Sequence, residues 1–129
     1  MKEVLIGLLV VVVILGILYY LHTESLEIKE VSLQDARKGL QEGKFRSVID
    51  VRTTSEYQAG HYEGAVSFPL HTINSQTVQR KTISERIYSP VLVYCKSGKR
   101  AKLGAQKLYN YGIDDVYYVS SPYWKLSDK

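Results

Sequence analysis

The segment from Val91 to Ala101 reads VLVYCKSGKRA, and it joins an apolar run to a short charged loop. Pro90 precedes the four residues VLVY, whose unbroken apolar character is typical of a strand buried on both faces. After the loop, residues 100–111 favour a helix that ends at Gly112. One face of that helix carries small and apolar side chains: Ala101, Gly104, Ala105 and Leu108. A buried strand followed by a loop and a helix is typical of a parallel α/β sheet.

The same alternation of strand and helix continues on both sides of this segment. Strands are predicted at 27–31, 47–51, 65–68 and 116–119, because each is a short run rich in apolar residues. Ser32 is placed to cap a helix that continues to Leu40, and Thr54 or Ser55 to cap a shorter helix that ends at Gly60. Residues 72–89 are polar and predict one or two short helices. The sequence therefore predicts a parallel sheet flanked by helices on both faces, with sites at the carboxyl ends of its strands.

Cys95 lies at such a strand end and opens a loop that runs to Arg100. Gly98 allows a sharp turn into the helix, and a loop of this kind can point several backbone N–H groups at an anion. The positive end of the helix and the charges of Lys96 and Lys99 act in the same direction. These features favour the thiolate, which is the nucleophilic form of cysteine. The alternative is an inert buried cysteine, which leaves the glycine and the three cations of residues 96–100 without explanation.

Three separate segments carry a resemblance to a known family, and they occur in the family's order. Residues 50–57, DVRTTSEY, resemble the D-x-R-x-x-x-E-[FY] segment of the rhodanese (sulfurtransferase) domain. Residues 60–66, GHYEGAV, resemble its G-H-I-P-G-A-[IV] segment. Residues 95–101, CKSGKRA, resemble its active loop, C-x-x-G-x-R followed by a small residue. The resemblance extends from about residue 27 to residue 124, which is most of the chain after the apolar start.

The resemblance implies a sulfurtransferase mechanism. Cys95 would attack the sulfane sulfur of a small anionic donor such as thiosulfate, become a persulfide, and pass the sulfur to an acceptor thiol, possibly of a protein. The resemblance assigns anion binding to the rest of the loop: Lys96, Ser97, Gly98, Lys99 and Arg100. Arg100 would either bind the donor or brace the loop by hydrogen bonds. Asp50 and Arg52 would support the loop from beside it, and His61 would be structural.

Two other functions compete with this one. The first is a rhodanese-like sulfur carrier or protein-binding module at the membrane, with little turnover. The second is a small cysteine phosphatase or arsenate-type reductase, although the related phosphatases have a loop one residue longer than residues 95–100. The chain departs from the family pattern at Glu63, which replaces a proline, and at Ser120-Ser121-Pro122, which replaces a common glycine pair. These departures bear on substrate access and partner choice.

Residues 4–21, VLIGLLVVVVILGILYYL, form an uncharged apolar run near the start of the chain. As a helix the run would be about 27 Å long, close to the roughly 30 Å of a bilayer core. Tyr19 and Tyr20 lie where interfacial aromatic residues are common. A cleaved signal peptide would need a small-residue site after the run, where the sequence reads YYLHTE, and a buried core helix would need a polar face. The run therefore predicts a single-pass membrane anchor.

The anchor divides the chain into four parts. Residues 1–3 form a flank, 4–21 the anchor, 22–26 a linker and 27–129 the rhodanese-like domain. One lysine, Lys2, precedes the anchor, whereas Lys29, Arg37 and Lys38 follow it. By the positive-inside rule this distribution favours a cytoplasmic domain.

The composition limits the partners of the chain. Its 129 residues carry 17 Lys and Arg against 13 Asp and Glu, a net charge of +4 that is too small and too scattered for a nucleic-acid surface. The excess instead suits anionic substrates or a membrane surface. One cysteine excludes an internal disulfide, and three scattered histidines do not give metal-ligand spacing. We therefore expect neither a metal nor a cofactor.

Overall fold

Five parallel strands form one sheet in a computed structural model, which describes residues 1–24 and 28–127. The expected linker and first strand fall partly on residues 25–27, outside the described residues. The sheet order is β1-β5-β4-β2-β3, with each neighbouring pair parallel. The strands are β1 Lys29–Val31, β2 Ser47–Asp50, β3 Val66–Ser67, β4 Val91–Tyr94 and β5 Val116–Val119. Since all strands run the same way, their carboxyl ends share one edge.

Helices connect the strands as the alternating pattern predicts. They are α1 Lys2–Glu24, α2 Leu33–Gln41, α3 Thr54–Ala59, α4 Ser75–Ser84 and α5 Lys99–Asn110. Two short 3₁₀ turns, Leu70–Thr72 and Tyr123–Lys125, follow β3 and β5. The polar stretch 72–89 thus contains one regular helix, α4.

Apolar side chains cover the sheet on both faces. Strand β4 shows this directly, because its successive side chains point to opposite faces. Val91 and Val93 join Cys95 in a core closed by α4 and α5, whereas Leu92 and Tyr94 join a second core closed by α2, α3 and the last 3₁₀ turn. The predicted parallel sheet with helices on both faces is confirmed.

The N-cap of the short helix α3 lies one residue before the nearer of its two predicted caps, Thr54 and Ser55. Thr53 is the N-cap, and its hydroxyl accepts the backbone N–H of Glu56. The Glu56 carboxylate in turn accepts the backbone N–H of Thr53, which completes a capping box. The prediction was wrong because only Thr53 has a glutamate three residues later. Ser32 caps α2 as predicted, by accepting the N–H of Asp35.

Helix α1 is long and apolar enough to cross a bilayer. Its qualifying stretch runs from Lys2 to His22, which is 21 residues, and none of that stretch is buried against the rest of the chain. The helix continues to Glu24, so it extends past the apolar run 4–21 into the residues expected to form a linker.

Candidate active site

Cys95 lies immediately after β4, at the carboxyl edge of the sheet, and is fully buried. Its Sγ accepts two backbone hydrogen bonds, from the N–H of Gly98 at 3.0 Å and from the N–H of Ala101 at 3.3 Å. Hydrogen bonds donated to sulfur favour its negatively charged form. The loop therefore surrounds the sulfur with donors that suit a thiolate or a persulfide.

The sulfur also takes the place of a helix cap. Gly98 is the N-cap of α5 and has no side chain to accept the N–H groups of the first turn. Ala101 is the third residue of that turn, where a capping side chain commonly accepts. Sγ accepts this N–H instead. The sulfur is thus held against the positive end of a 12-residue helix.

Gly98 is required by both its backbone and its neighbour. Its φ is +96°, in the left-handed region that glycine adopts without strain. A Cβ at this position would collide with the Ser120 side chain and would lie 2.9 Å from the Ser120 Cα. Ser120 belongs to the segment that departs from the family pattern, so this departure packs directly on the loop. Its hydroxyl also reaches Glu30 of β1, at 3.3 Å.

Arg100 forms an ion pair across the carboxyl edge of the sheet. Its Nη1 and Nη2 donate to the two carboxylate oxygens of Glu56, at 2.6 and 3.0 Å. Arg100 hydrogen bonds, together with those of Thr53, hold the pKa of Glu56 at about 2. The guanidinium thus braces the loop against α3.

The other residues of the loop differ in their exposure to solvent. Lys96, Ser97 and Lys99 are exposed, whereas Gly98 is buried. Two clefts flank the loop. One, of about 770 Å³, is lined by residues that include Lys99, Lys102 and Glu30; the other, of about 340 Å³, is lined by residues that include Arg100 and His71. Residues of the loop therefore line two separate clefts, and Cys95 itself lines neither of them.

Asp50 and Arg52 form a buried ion pair beneath the site. The Arg52 Nη2 lies 2.7 Å from one Asp50 oxygen, and the Arg52 backbone N–H donates to the other at 2.9 Å. The same Nη2 donates to the carbonyl of Gly60 at 2.6 Å. The Arg52 guanidinium also lies 4.9 Å from the ring centre of Tyr123. This pair joins β2 to the segment after α3 and to the last 3₁₀ turn.

Tyr94 completes this network and was not among the predicted site residues. Its hydroxyl donates to Asp50 at 2.8 Å and accepts the backbone N–H of Tyr62 at 3.0 Å. Burial raises the pKa of the Tyr94 phenol, so it stays neutral. The feature of the sequence that indicated a role for Tyr94 was its hydroxyl at the end of an otherwise apolar strand, directly before Cys95.

His61 packs against helix α3. The His61 ring stacks on Tyr57 at 3.7 Å, and its Nδ1 lies 2.8 Å from the Tyr57 carbonyl. These contacts hold the ring on α3.

Within residues 1–24 and 28–127 there is no group of three His, Cys, Asp or Glu side chains arranged for a metal. Glu63 lines a separate cleft with Tyr123 and Trp124.

A family model described as "Rhodanese-like domain" matches residues 32–123. The chain belongs to this family. Rhodanese-like domains comprise sulfurtransferases and sulfur carriers, and relatives of both descriptions are found. The protein YqhL of Bacillus subtilis is 34% identical over 102 residues, which are 74% of this chain and 77% of the relative. The putative sulfur carrier protein YrkF of Bacillus subtilis is 25% identical over 92 residues, covering 71% of this chain and 47% of that protein.

Other relatives contain the rhodanese-like domain as a smaller part. The tRNA uridine(34) hydroxylase of Chlamydia abortus is 30% identical over 94 residues, and the match covers 70% of this chain but 28% of the hydroxylase. Among solved structures, the human single-domain sulfurtransferase TSTD1 gives a TM-score of 0.62 at 23% identity, covering 74% of this chain and 92% of that one. At this identity the similarity demonstrates the rhodanese-like fold.

Proposed function

We propose that this rhodanese-like protein is a membrane-tethered sulfurtransferase that carries sulfane sulfur on Cys95. The observation that supports it most is the pair of backbone N–H groups, of Gly98 and Ala101, that point at Sγ. These donors suit the charge that sulfur carries before the reaction, as a thiolate, and after it, as a persulfide. Thiosulfate is the donor proposed, because the loop combines these donors with exposed lysines.

The reaction divides into two displacements at sulfur. In the first, the Cys95 thiolate attacks the outer sulfur of thiosulfate, a new S–S bond forms, and the S–S bond of the donor breaks with its electron pair leaving on sulfite. In the second, an acceptor thiolate attacks the outer sulfur of the persulfide. The Cys95–sulfur bond then breaks, the acceptor leaves as a persulfide, and the Cys95 thiolate is restored. The acceptor thiol loses its proton to solvent, and no external oxidant or reductant is needed.

The proposed support residues act without touching the donor. The ion pair of Arg100 with Glu56 holds the start of α5 against α3, and the Asp50–Arg52 pair holds the end of β2. Both keep the backbone N–H groups in place during the two steps. Preorganised donors of this kind avoid the cost of reorienting dipoles as charge moves.

A sulfur carrier with little turnover is the second candidate. Complete burial of Cys95 favours it, because a covered persulfide is protected from solvent and from small thiols. The carrier would release sulfur only to a partner that opens the loop. The carrier and the enzyme share the first displacement and differ in the second.

We also propose that α1 tethers the domain to a membrane, with the domain on the cytoplasmic side. The length of the apolar helix and its lack of burial support the tether, and the excess of Lys and Arg after α1 supports the side. Protease access to the domain in sealed cells tests the side: a cytoplasmic domain survives until the cells are opened.

Intact-mass measurement tests the proposed chemistry. The full chain, held in lipid nanodiscs, is mixed with thiosulfate and weighed. We expect a gain of one sulfur atom, which cyanide removes and which Cys95→Ser abolishes. Steady sulfite release with an excess of thiol indicates the enzyme, and a single loading without turnover indicates the carrier. Aryl phosphate hydrolysis without any sulfur adduct would refute both and favour a phosphatase.

A further inference from the structure

The parallel sheet places the start of every strand at one edge, opposite Cys95. We call this the amino-terminal edge and define it by the turns before β2, β4 and β5. These turns are joined by hydrogen bonds: Arg46 N–H to the Pro90 carbonyl at 2.9 Å, and Val91 N–H to the Asp115 carbonyl at 3.1 Å. The edge is therefore one continuous surface of the domain.

The chain from α1 enters the domain at this edge. Helix α1 ends at Glu24, and β1 begins at Lys29, which pairs with Tyr117 near the start of β5. Five Cα–Cα steps join Glu24 to Lys29, and they span at most about 19 Å. A domain of about 100 residues is roughly 34 Å across, given a radius of gyration of about 13 Å. Because this reach is smaller than the domain, the proposed tether keeps the start of β1 close to the bilayer.

The amino-terminal edge also exposes apolar side chains. Ile83, in the last turn of α4, is 81% exposed, and Tyr88 and Tyr111 are exposed in the turns that follow α4 and α5. Ile83 and Tyr111 border a groove of about 500 Å³ whose floor includes Ile87 and Ile113. An apolar groove beside exposed aromatic rings marks an interaction surface more than isolated exposed residues do.

The chemistry of this edge suits a lipid headgroup region. The Arg46 guanidinium lies 4.8 Å from the ring centre of Tyr88, and tyrosines and arginines of this kind are common where a protein meets lipid headgroups. The turns and helix ends of this edge carry exposed charges of both signs: Arg46, Glu85, Arg86, Asp114 and Asp115. Because positive and negative side chains are mixed on this edge, they create no strong electrostatic field. Apolar contact, rather than attraction to anionic lipid, would therefore hold the edge on the bilayer.

We propose that the amino-terminal edge rests on the bilayer that holds α1, with Ile83, Tyr88 and Tyr111 in the headgroup region. The inference depends on the proposed tether and adds to it an orientation. The Cys95 loop then faces away from the membrane, on the far side of strands that are about 13 Å long. The acceptor thiol must accordingly be presented from the aqueous side and not from within the lipid.

The single tryptophan makes the orientation measurable. Trp124 follows β5 at the Cys95 edge and is 54% exposed. In nanodiscs made with brominated phosphatidylcholine, which quenches tryptophans that touch lipid, we expect the emission of the full chain to stay unchanged. In Ile83→Trp combined with Trp124→Phe, we expect roughly twofold quenching, as for an interfacial side chain.

Leu103→Trp combined with Trp124→Phe is the matched control. Leu103 is also an exposed aliphatic residue, at 58%, but it borders the cleft beside the Cys95 loop. We expect no quenching there. Equal quenching at positions 83 and 103 would overturn the orientation.

Two further outcomes separate the tether from the orientation. If alkaline carbonate leaves the chain in the membrane while Trp at position 83 is unquenched, the tether stands and the docking inference is wrong. If a photo-crosslinker at position 83 then joins two chains, the groove binds a second copy instead. If carbonate releases the chain, the tether itself fails and the inference fails with it.

Discussion

One atom of Cys95 serves both the fold and the proposed chemistry. Its Sγ accepts the N–H of Ala101 at the third position of α5, where a capping side chain would act, because the N-cap is Gly98. In the proposed chemistry, the same contact and the positive end of the helix would stabilise negative charge on the reacting sulfur. A single arrangement of backbone donors therefore serves both the start of the helix and the proposed reaction.

Gly98→Ala should disrupt this arrangement. The new Cβ would collide with the Ser120 side chain, and an alanine at φ +96° adds roughly 1–2 kcal/mol of backbone strain. We expect a lower midpoint of urea unfolding in detergent and a slower gain of sulfur by intact mass. Adding Ser120→Gly should restore part of the midpoint, since it removes the side-chain collision but not the strain. An unchanged midpoint in Gly98→Ala alone would contradict the observed packing.

Tyr94→Phe tests the network beneath the loop. The substitution keeps the ring but leaves the part-buried N–H of Tyr62 without its acceptor, a loss of about 1 kcal/mol in the free energy of unfolding. Asp50 keeps its ion pair with Arg52, so the fold should survive. Urea unfolding measures the loss, and Tyr111→Phe, an exposed ring at the far edge, should change little. Equal stability of the two variants would argue against a role for the hydroxyl.

At the scale of elements, the Arg100–Glu56 ion pair joins the first turn of α5 to the first turn of α3. The pair holds the pKa of Glu56 at about 2, well below its ordinary value of 4.5. A carboxylate with a lowered pKa stabilises the fold above about pH 4.5, and that contribution is lost as the pH falls toward 2. Both side chains are about one-third exposed, so the effect is less than about 1 kcal/mol.

Glu56→Gln isolates that contribution. The amide oxygen can still accept the N–H of Thr53, so the cap of α3 is kept while the charge is removed. We expect the variant to be less stable than the parent at pH 7 and the two to converge between pH 4.5 and pH 2. Urea unfolding across this range measures the difference. A gap that persists at pH 2 would show that the charge is not its cause.

The elements that local pattern predicts best are the buried strands. The apolar runs predicted at 91–94 and 116–119 have the bounds of β4 and β5, because a short apolar run between turns has few alternatives. The cap of α3 was misplaced by one residue, since Thr53, Thr54 and Ser55 all favour capping. Local sequence pattern could not predict the contacts across the site, because the partners are far apart in the chain. Arg100 and Glu56 are separated by 44 residues, as are Tyr94 and Asp50. The position of Cys95 at the carboxyl edge followed from the sheet's parallel character alone.

At the scale of the whole molecule, the apolar helix α1 and the domain are structurally independent. The apolar stretch of α1 is unburied, and the domain's two cores contain none of its residues. A chain without residues 1–24 should load sulfur from thiosulfate at an unchanged rate and should no longer sediment with membranes. Intact-mass kinetics and flotation measure the two properties separately. A large fall in the loading rate would show that α1 contributes to the site.

Complete burial of Cys95 has a kinetic consequence for the whole cycle. In the proposed cycle, a donor must reach a fully buried sulfur, so we expect loop movement to precede bond formation. The observed rate should then rise with donor concentration only to a plateau set by the opening frequency, and chemically different donors should share that plateau. Stopped-flow loading with two such donors would reveal it. The choice of donor would then depend on the event that opens the loop, and not on how tightly the closed site binds each donor.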